Sequence, residues 1–234
     1  MITHIFFDLD NTFYDYKRAN DRAINQTLDY MSMQTGIEKK VLFELYENAK
    51  KEVKMQQSKN ASSHSRLLYF KRLHELIFNE TNIRQSMILH NNFWTVFFKN
   101  MQIFPSVKKL LLKAKDLNIS TIIATNLTTD IQFRKLAALG VDELIDFVVT
   151  SEDAGIEKPS EKFVQYLVKV TSFDIDKNKS WYIGDDLKID TALGITLGSD
   201  IFIRKNGEKA VGNDEFTFFS DFNDLFNKLE TENL

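Results

Sequence analysis

From Phe104 onward the chain alternates between apolar runs of strand length and segments with helical periodicity, and this alternation restricts the fold more than any other feature. Ser120 to Ala124, Phe147 to Thr150, Trp181 to Ile183 and Ile201 to Ile203 are short and rich in β-branched or aromatic residues, as buried strands are. Ile5 to Phe7 has the same character, and Phe216 to Phe219 is a sixth candidate. Between these runs, FPSVKKLLLKAKDLN sets Val107, Leu110, Leu111 and Ala114 on one helix face, with Pro105 and Ser106 where a helix begins. EKFVQYLVKV repeats the pattern with Phe163, Tyr166, Leu167 and Val170. Strands alternating with helices build a parallel sheet wound on both faces, so the expected class is α/β with a doubly wound parallel sheet.

Residues 16–99 break the alternation and show almost no strand signal. VLFELYENAKKEVKMQQ places Val41, Leu42, Leu45, Ala49 and Val53 on one helix face, and RLLYFKRLHELIF does the same with Leu67, Phe70, Leu73, Leu76 and Ile77. The expectation is a bundle of about four helices inserted after the first strand, with Phe93, Trp94, Phe97 and Phe98 in its core. Residues 1–15 and 100–234 would then form the sheet domain and 16–99 the inserted helical bundle.

Composition narrows the partners. With 234 residues there is enough chain for a sizeable core, and the 20 phenylalanines must fill much of it. The net charge of −3 is spread over interspersed acids and bases, without the basic run that a nucleic acid polymer would require. No cysteine is present, which excludes disulfides, thiolate nucleophiles and thiolate-bound zinc. No apolar run approaches the roughly 18 residues of a membrane span, and no signal-peptide pattern is seen, so a cytoplasmic protein is expected. His4, His64, His74 and His90 lack metal-ligand spacing and read as structural or surface residues.

In a doubly wound sheet, functional groups gather at the carboxyl ends of the strands. The first run is followed by Asp8, Asp10 and Thr12, the second by Thr125 and Asn126, the third by a loop with Lys158, and the fourth by Asp185, Asp186 and Asp190. Five acids near one point require a cation, and oxygen-only ligands suit Mg²⁺ together with substrate phosphate. A carboxylate can attack phosphorus and form an aspartyl phosphate. Phosphoryl transfer then needs positive charge on the equatorial oxygens and a group that protonates the leaving oxygen.

The four clusters, in this order, resemble the motifs of the haloacid dehalogenase (HAD) superfamily, most closely its phosphatases with a helical cap inserted after the first motif. FDLDNT is similar to the first motif, IIATN to the second, GIEKPSEKF to the third and YIGDDLKID to the fourth. The resemblance implies a Rossmann-like core with residues 16–99 as the cap. It implies Asp8 as nucleophile and Asp10 as general acid/base. Mg²⁺ would be held by Asp8, the Asp10 main-chain carbonyl and Asp185. Thr125, Asn126 and Lys158 would bind the phosphoryl group, and Asp190 would orient Lys158 or metal-bound water. Asp186 stands where the family often has serine, which leaves open whether it joins the same outer layer or is a simple acid at the start of the following helix. Dehalogenases of the superfamily lack the second acid, so Asp10 implies phosphatase chemistry on a small phosphorylated metabolite. DNTFYDY and SEDAGIEKP resemble the branch that includes nucleoside 5′-monophosphate phosphatases. A phosphomutase of the β-phosphoglucomutase type, or a catalytically silent module that binds phosphorylated ligands, are the alternatives. Phe13, Tyr14 and Tyr16 would contact the leaving group or pack the hinge to the cap. Nothing in the sequence indicates the oligomeric state.

Overall fold

The structure is a computed structural model that describes residues 1–205 and 215–232. The expected sheet domain also takes in 206–214 and 233–234, which lie outside the described residues. Contacts divide the chain into two compact units, Met1–Asp15 with Gln102–Leu234, and Tyr16–Met101. The second division falls two residues beyond the expected 99/100 boundary.

The first unit is built on six parallel strands: β1 (His4–Phe7), β2 (Ser120–Thr125), β3 (Phe147–Thr150), β4 (Ser180–Gly184), β5 (Asp200–Arg204) and β6 (Thr217–Phe219). Their order across the sheet is β3-β2-β1-β4-β5-β6. β1 is central, with His4 opposite Ser120 on one side and Ser180 on the other. The winding direction reverses between β1 and β4, which opens the crevice beyond the strand ends where such sheets bind ligands. Ile5, Phe6 and Phe7 are fully buried, as expected for a strand covered on both faces.

Helices α5 (Val107–Asp116), α6 (Thr129–Leu139), α7 (Ser151–Ala154), α8 (Glu161–Thr171), α9 (Ile189–Thr196) and α10 (Phe222–Glu232) belong to this unit. α5 buries Val107, Leu110, Leu111 and Ala114, as its spacing predicts. Ser106 precedes it in a left-handed conformation and makes no side-chain cap bond. On α8 the buried face is Phe163, Val164, Leu167 and Thr171. Val170, expected inside, is exposed, because the stripe continues through Thr171 instead. Phe6, Tyr182, Phe163 and Leu193 meet in one apolar cluster under the sheet.

The second unit contains α1 (Tyr16–Thr35), α2 (Lys39–Gln56), α3 (Arg66–Phe78) and α4 (Ile83–Asn100), with a 3₁₀ turn at Ala61–His64. Its core joins Leu28 and Met31 of α1, Leu42 and Tyr46 of α2, Phe70 and Leu73 of α3, and Phe93 and Phe97 of α4. Val41 is exposed, contrary to expectation, because Tyr46 joins Leu42, Ala49 and Val53 and rotates the buried stripe away from it. Trp94 packs edge-on against Phe97 at 5.1 Å and stacks on the half-buried Phe98 at 5.4 Å. Asn79 closes α3 in a left-handed conformation, and the Asn82 side chain starts α4 by accepting from the Gln85 amide at 2.9 Å. Among the described residues no helix is long and apolar enough to cross a membrane.

Candidate active site

Asp8 follows the last residue of β1, and its side chain is almost wholly buried. Lys158, on the loop after α7, reaches it with Nζ 2.5 Å from Asp8 Oδ1. The same ammonium donates to Asp190 Oδ1 at 2.9 Å and to the Ala124 carbonyl at 3.0 Å, and lies 3.3 Å from the Tyr182 hydroxyl. Thr12 donates to Asp8 Oδ2 at 3.3 Å. One buried ammonium thus serves two buried carboxylates. The nearby acids hold Lys158 well above the usual lysine range despite its burial. Asp8 is pushed up to about 8, first by desolvation and further by Asp190, Asp185 and Asp10, against the opposing pull of Lys158.

Asp190 is saturated. Its Oδ1 accepts from Lys158 and from the Tyr182 hydroxyl at 3.0 Å, and its Oδ2 accepts from the amides of Asp185 at 3.0 Å and Asp186 at 2.9 Å. A carboxylate has about four acceptor positions, and here all are used. Gly184 makes this possible: a Cβ there would lie 2.3 Å from Asp190 Oδ2. Asp190 therefore fixes the turn after β4 and the lysine at once.

Asp8, Asp185 and Asp190 each bring a carboxylate oxygen within 4.8 Å of the others. Asp190 has no acceptor position left, whereas Asp8 and Asp185 do. Asp185 is raised to about 6, mainly by desolvation and then by Asp190. An all-oxygen cluster in which burial and the neighbouring acids raise both Asp8 and Asp185 suits a hard cation such as Mg²⁺. Asp186 is exposed, and its Oδ1 accepts from the amides of Lys188 and Ile189, both at 2.8 Å. These bonds cap the turn leading into α9.

Asp10 is held differently. Its two carboxylate oxygens lie 2.7 and 2.8 Å from Lys135 Nζ, and the Tyr14 hydroxyl donates to Oδ1. Lys135 is fully buried on α6. Tyr14 is fully buried too, and Phe13 packs edge-on against Phe7 at 5.2 Å. Tyr16 belongs to the helical unit, where its hydroxyl accepts from Arg66.

At the end of β2 the Thr125 hydroxyl accepts from Gln132 Nε2 at 2.6 Å. An oxygen that accepts there keeps its own proton to donate, 3.3 Å away to the Asn126 carbonyl here or to an incoming oxyanion. Asn126 uses its side chain to anchor the next loop, Oδ1 accepting from the Lys158 amide at 2.9 Å. The structure thus brings Asp8, Lys158, Asp185 and Asp190 together, with Asp10, Thr125 and Asn126 at the adjoining strand ends. Sequence reading missed Lys135, Gln132, Tyr182 and the Tyr14 contact. Gln132 and Lys135 fall on the buried stripe of α6 with Ile131, Leu136 and Leu139, so polar residues on an otherwise apolar stripe were the available signal.

Comparison with known proteins agrees with this geometry. The sequence profile of haloacid dehalogenase-like hydrolases matches residues 2–198. A ribulose-1,5-bisphosphate 5-phosphatase of Halopiger xanaduensis is 31% identical, over 90% of this chain and 87% of its own. A glyceraldehyde 3-phosphate phosphatase of Pyrococcus abyssi is 26% identical, over 90% of this chain and 81% of its own. The crystal structure of a HAD phosphatase from Thermococcus onnurineus superposes with a TM-score of 0.75 at 19% identity, covering 100% of both chains. The fold, the order of the strand-end clusters and the profile agree: the chain belongs to the haloacid dehalogenase-like hydrolase family.

Proposed function

We propose that this hydrolase is a Mg²⁺-dependent phosphatase that cleaves the phosphate monoester of a small sugar-type metabolite through an aspartyl phosphate on Asp8. The observation that carries the reading is the buried Asp8 at the end of the central strand, bonded to Lys158 and flanked by Asp185, with a second acid, Asp10, two residues on. Asp8 attacks phosphorus, and the ester P–O bond breaks as Asp10 gives a proton to the leaving oxygen. Asp10, now a base, takes a proton from the water that attacks the same phosphorus, which frees inorganic phosphate and restores Asp8. Lys158 and the Thr125 hydroxyl donate to the phosphoryl oxygens, while Asp190 keeps Lys158 in place. Mg²⁺, when bound by Asp8, Asp185 and the Asp10 carbonyl, supplies the remaining positive charge that those oxygens need.

The names of the two phosphatase relatives favour a phosphorylated sugar over the nucleotide suggested by the motifs alone. A phosphate-release screen with Mg²⁺ across triose phosphates, pentose mono- and bisphosphates and nucleoside monophosphates tests both levels. Sugar phosphates are expected to lead, and Asp8→Asn is expected to release no phosphate from any of them. Undiminished turnover by Asp8→Asn would sink the covalent route, and a folded wild type silent on the whole panel would sink the phosphatase reading.

A further inference from the structure

The environment of Asp10 contains a residue that the motifs do not supply. Lys135 Nζ bridges both oxygens of the Asp10 carboxylate at 2.7 and 2.8 Å from a fully buried position on α6. Stability alone does not account for it. A buried lysine–carboxylate pair contributes little over well-packed apolar side chains. The Asp10 side chain keeps 27% of its surface open while the lysine keeps none. The pair therefore places an immobile cation behind a carboxylate that still faces outward.

The two oxygens are not equivalent. Oδ1 accepts from both Lys135 and the Tyr14 hydroxyl, whereas Oδ2, among the described residues, accepts from Lys135 alone. Oδ2 is the oxygen with spare capacity. Without the bridge, Asp10 would keep the Tyr14 bond to Oδ1 but lose the second contact that fixes the plane of its carboxylate, and an acid that must meet one leaving oxygen loses effectiveness quickly when misplaced. We propose that Lys135 is a positioning residue that aligns Asp10 so that Oδ2 exchanges the proton with the leaving-group oxygen. The proposal rests on the phosphatase reading.

The test uses two esters that differ in their need for a proton. An alkyl phosphate such as glycerol phosphate expels a poor leaving group that must be protonated; 2,4-dinitrophenyl phosphate expels an anion that is stable on its own. Lys135→Met is expected to lower kcat/KM on the alkyl ester by about 100-fold or more, the span of general acid catalysis, and on the dinitrophenyl ester by less than about tenfold. In an Asp10→Asn background the same substitution is expected to change the alkyl rate by no more than about threefold, because Lys135 acts through Asp10. A thermal melt establishes that each variant is folded, and Lys135→Arg, which keeps the charge but alters the reach, carries the same comparison if Lys135→Met does not fold. Equal losses on both esters, no loss, or a full additional loss in the Asp10→Asn background would overturn the assignment. If folded wild type cleaves neither ester, the phosphatase reading itself fails; if wild type cleaves both and the variants show no leaving-group dependence, only the role of Lys135 falls.

Discussion

Charge around Asp8 is unbalanced at the level of single residues: Lys158 faces both Asp8 and Asp190, and Asp185 stands beside them. In the absence of a cation Asp8 keeps its proton up to about 8, although the same group in an unfolded chain ionises near 3.8. Between those values the native state binds more protons than the unfolded state, so stability falls as pH rises. Asp185 acts in the same direction up to about 6. In EDTA, the Tm is therefore expected to drop further between pH 5 and pH 8 than that of Asp8→Asn, which has no proton to lose at that position. Mg²⁺ is expected to raise the Tm more at pH 8 than at pH 5, since it binds the ionised carboxylates of the native state. Matching pH profiles for wild type and Asp8→Asn would contradict this account. Asp8 and Asp185 were legible in the sequence because each directly follows a strand, and Lys158 because it stands in the stretch that follows β3, where the topology gathers side chains. Lys135 and Gln132 were not, because they approach the site from the middle of a helix and their polarity is concealed within an amphipathic stripe.

Among the secondary-structure elements, the strands were read most directly. β1 to β5 coincide with short apolar runs because a strand buried on both faces can use little else. Helix faces were harder to read: Val41 and Val170 fit the periodicity as well as the residues that are buried, and only packing against a neighbour decides between registers 100° apart. Helix ends depend on single side chains. Asn82 satisfies the Gln85 amide at the start of α4. Asn82→Ala is expected to cost about 1 kcal/mol, seen as a lower midpoint in urea with an unchanged slope. Because α4 carries Phe93, Trp94 and Phe97, the loss should be read by the tryptophan buried there.

At the scale of the whole molecule, each compact unit holds one of the two tryptophans, Trp94 in the helical unit and Trp181 in the sheet unit. Their emission can therefore follow the two cores separately, using Trp94→Phe and Trp181→Phe to isolate each signal. Phe97 is fully buried and ringed by Phe93, Trp94 and Phe98. Phe97→Ala is expected to remove about 3–5 kcal/mol from the helical core, and to move the Trp94 transition to lower denaturant by more than the Trp181 transition. Equal displacements would mean that the two cores unfold as one. The central position of β1 also has a consequence for the order in which the protein is made. Its neighbours begin at Ser120 and Ser180, on the far side of the helical insertion, so at translation speeds of about 5–20 residues per second β1 waits from about 6 s to tens of seconds for them. The helices of 16–101 pack mainly on one another and can close during that delay. The nucleophile-bearing segment thus leaves the ribosome well before the strands that hold it, and until they follow, three consecutive apolar residues, Ile5, Phe6 and Phe7, have no sheet neighbour to cover them.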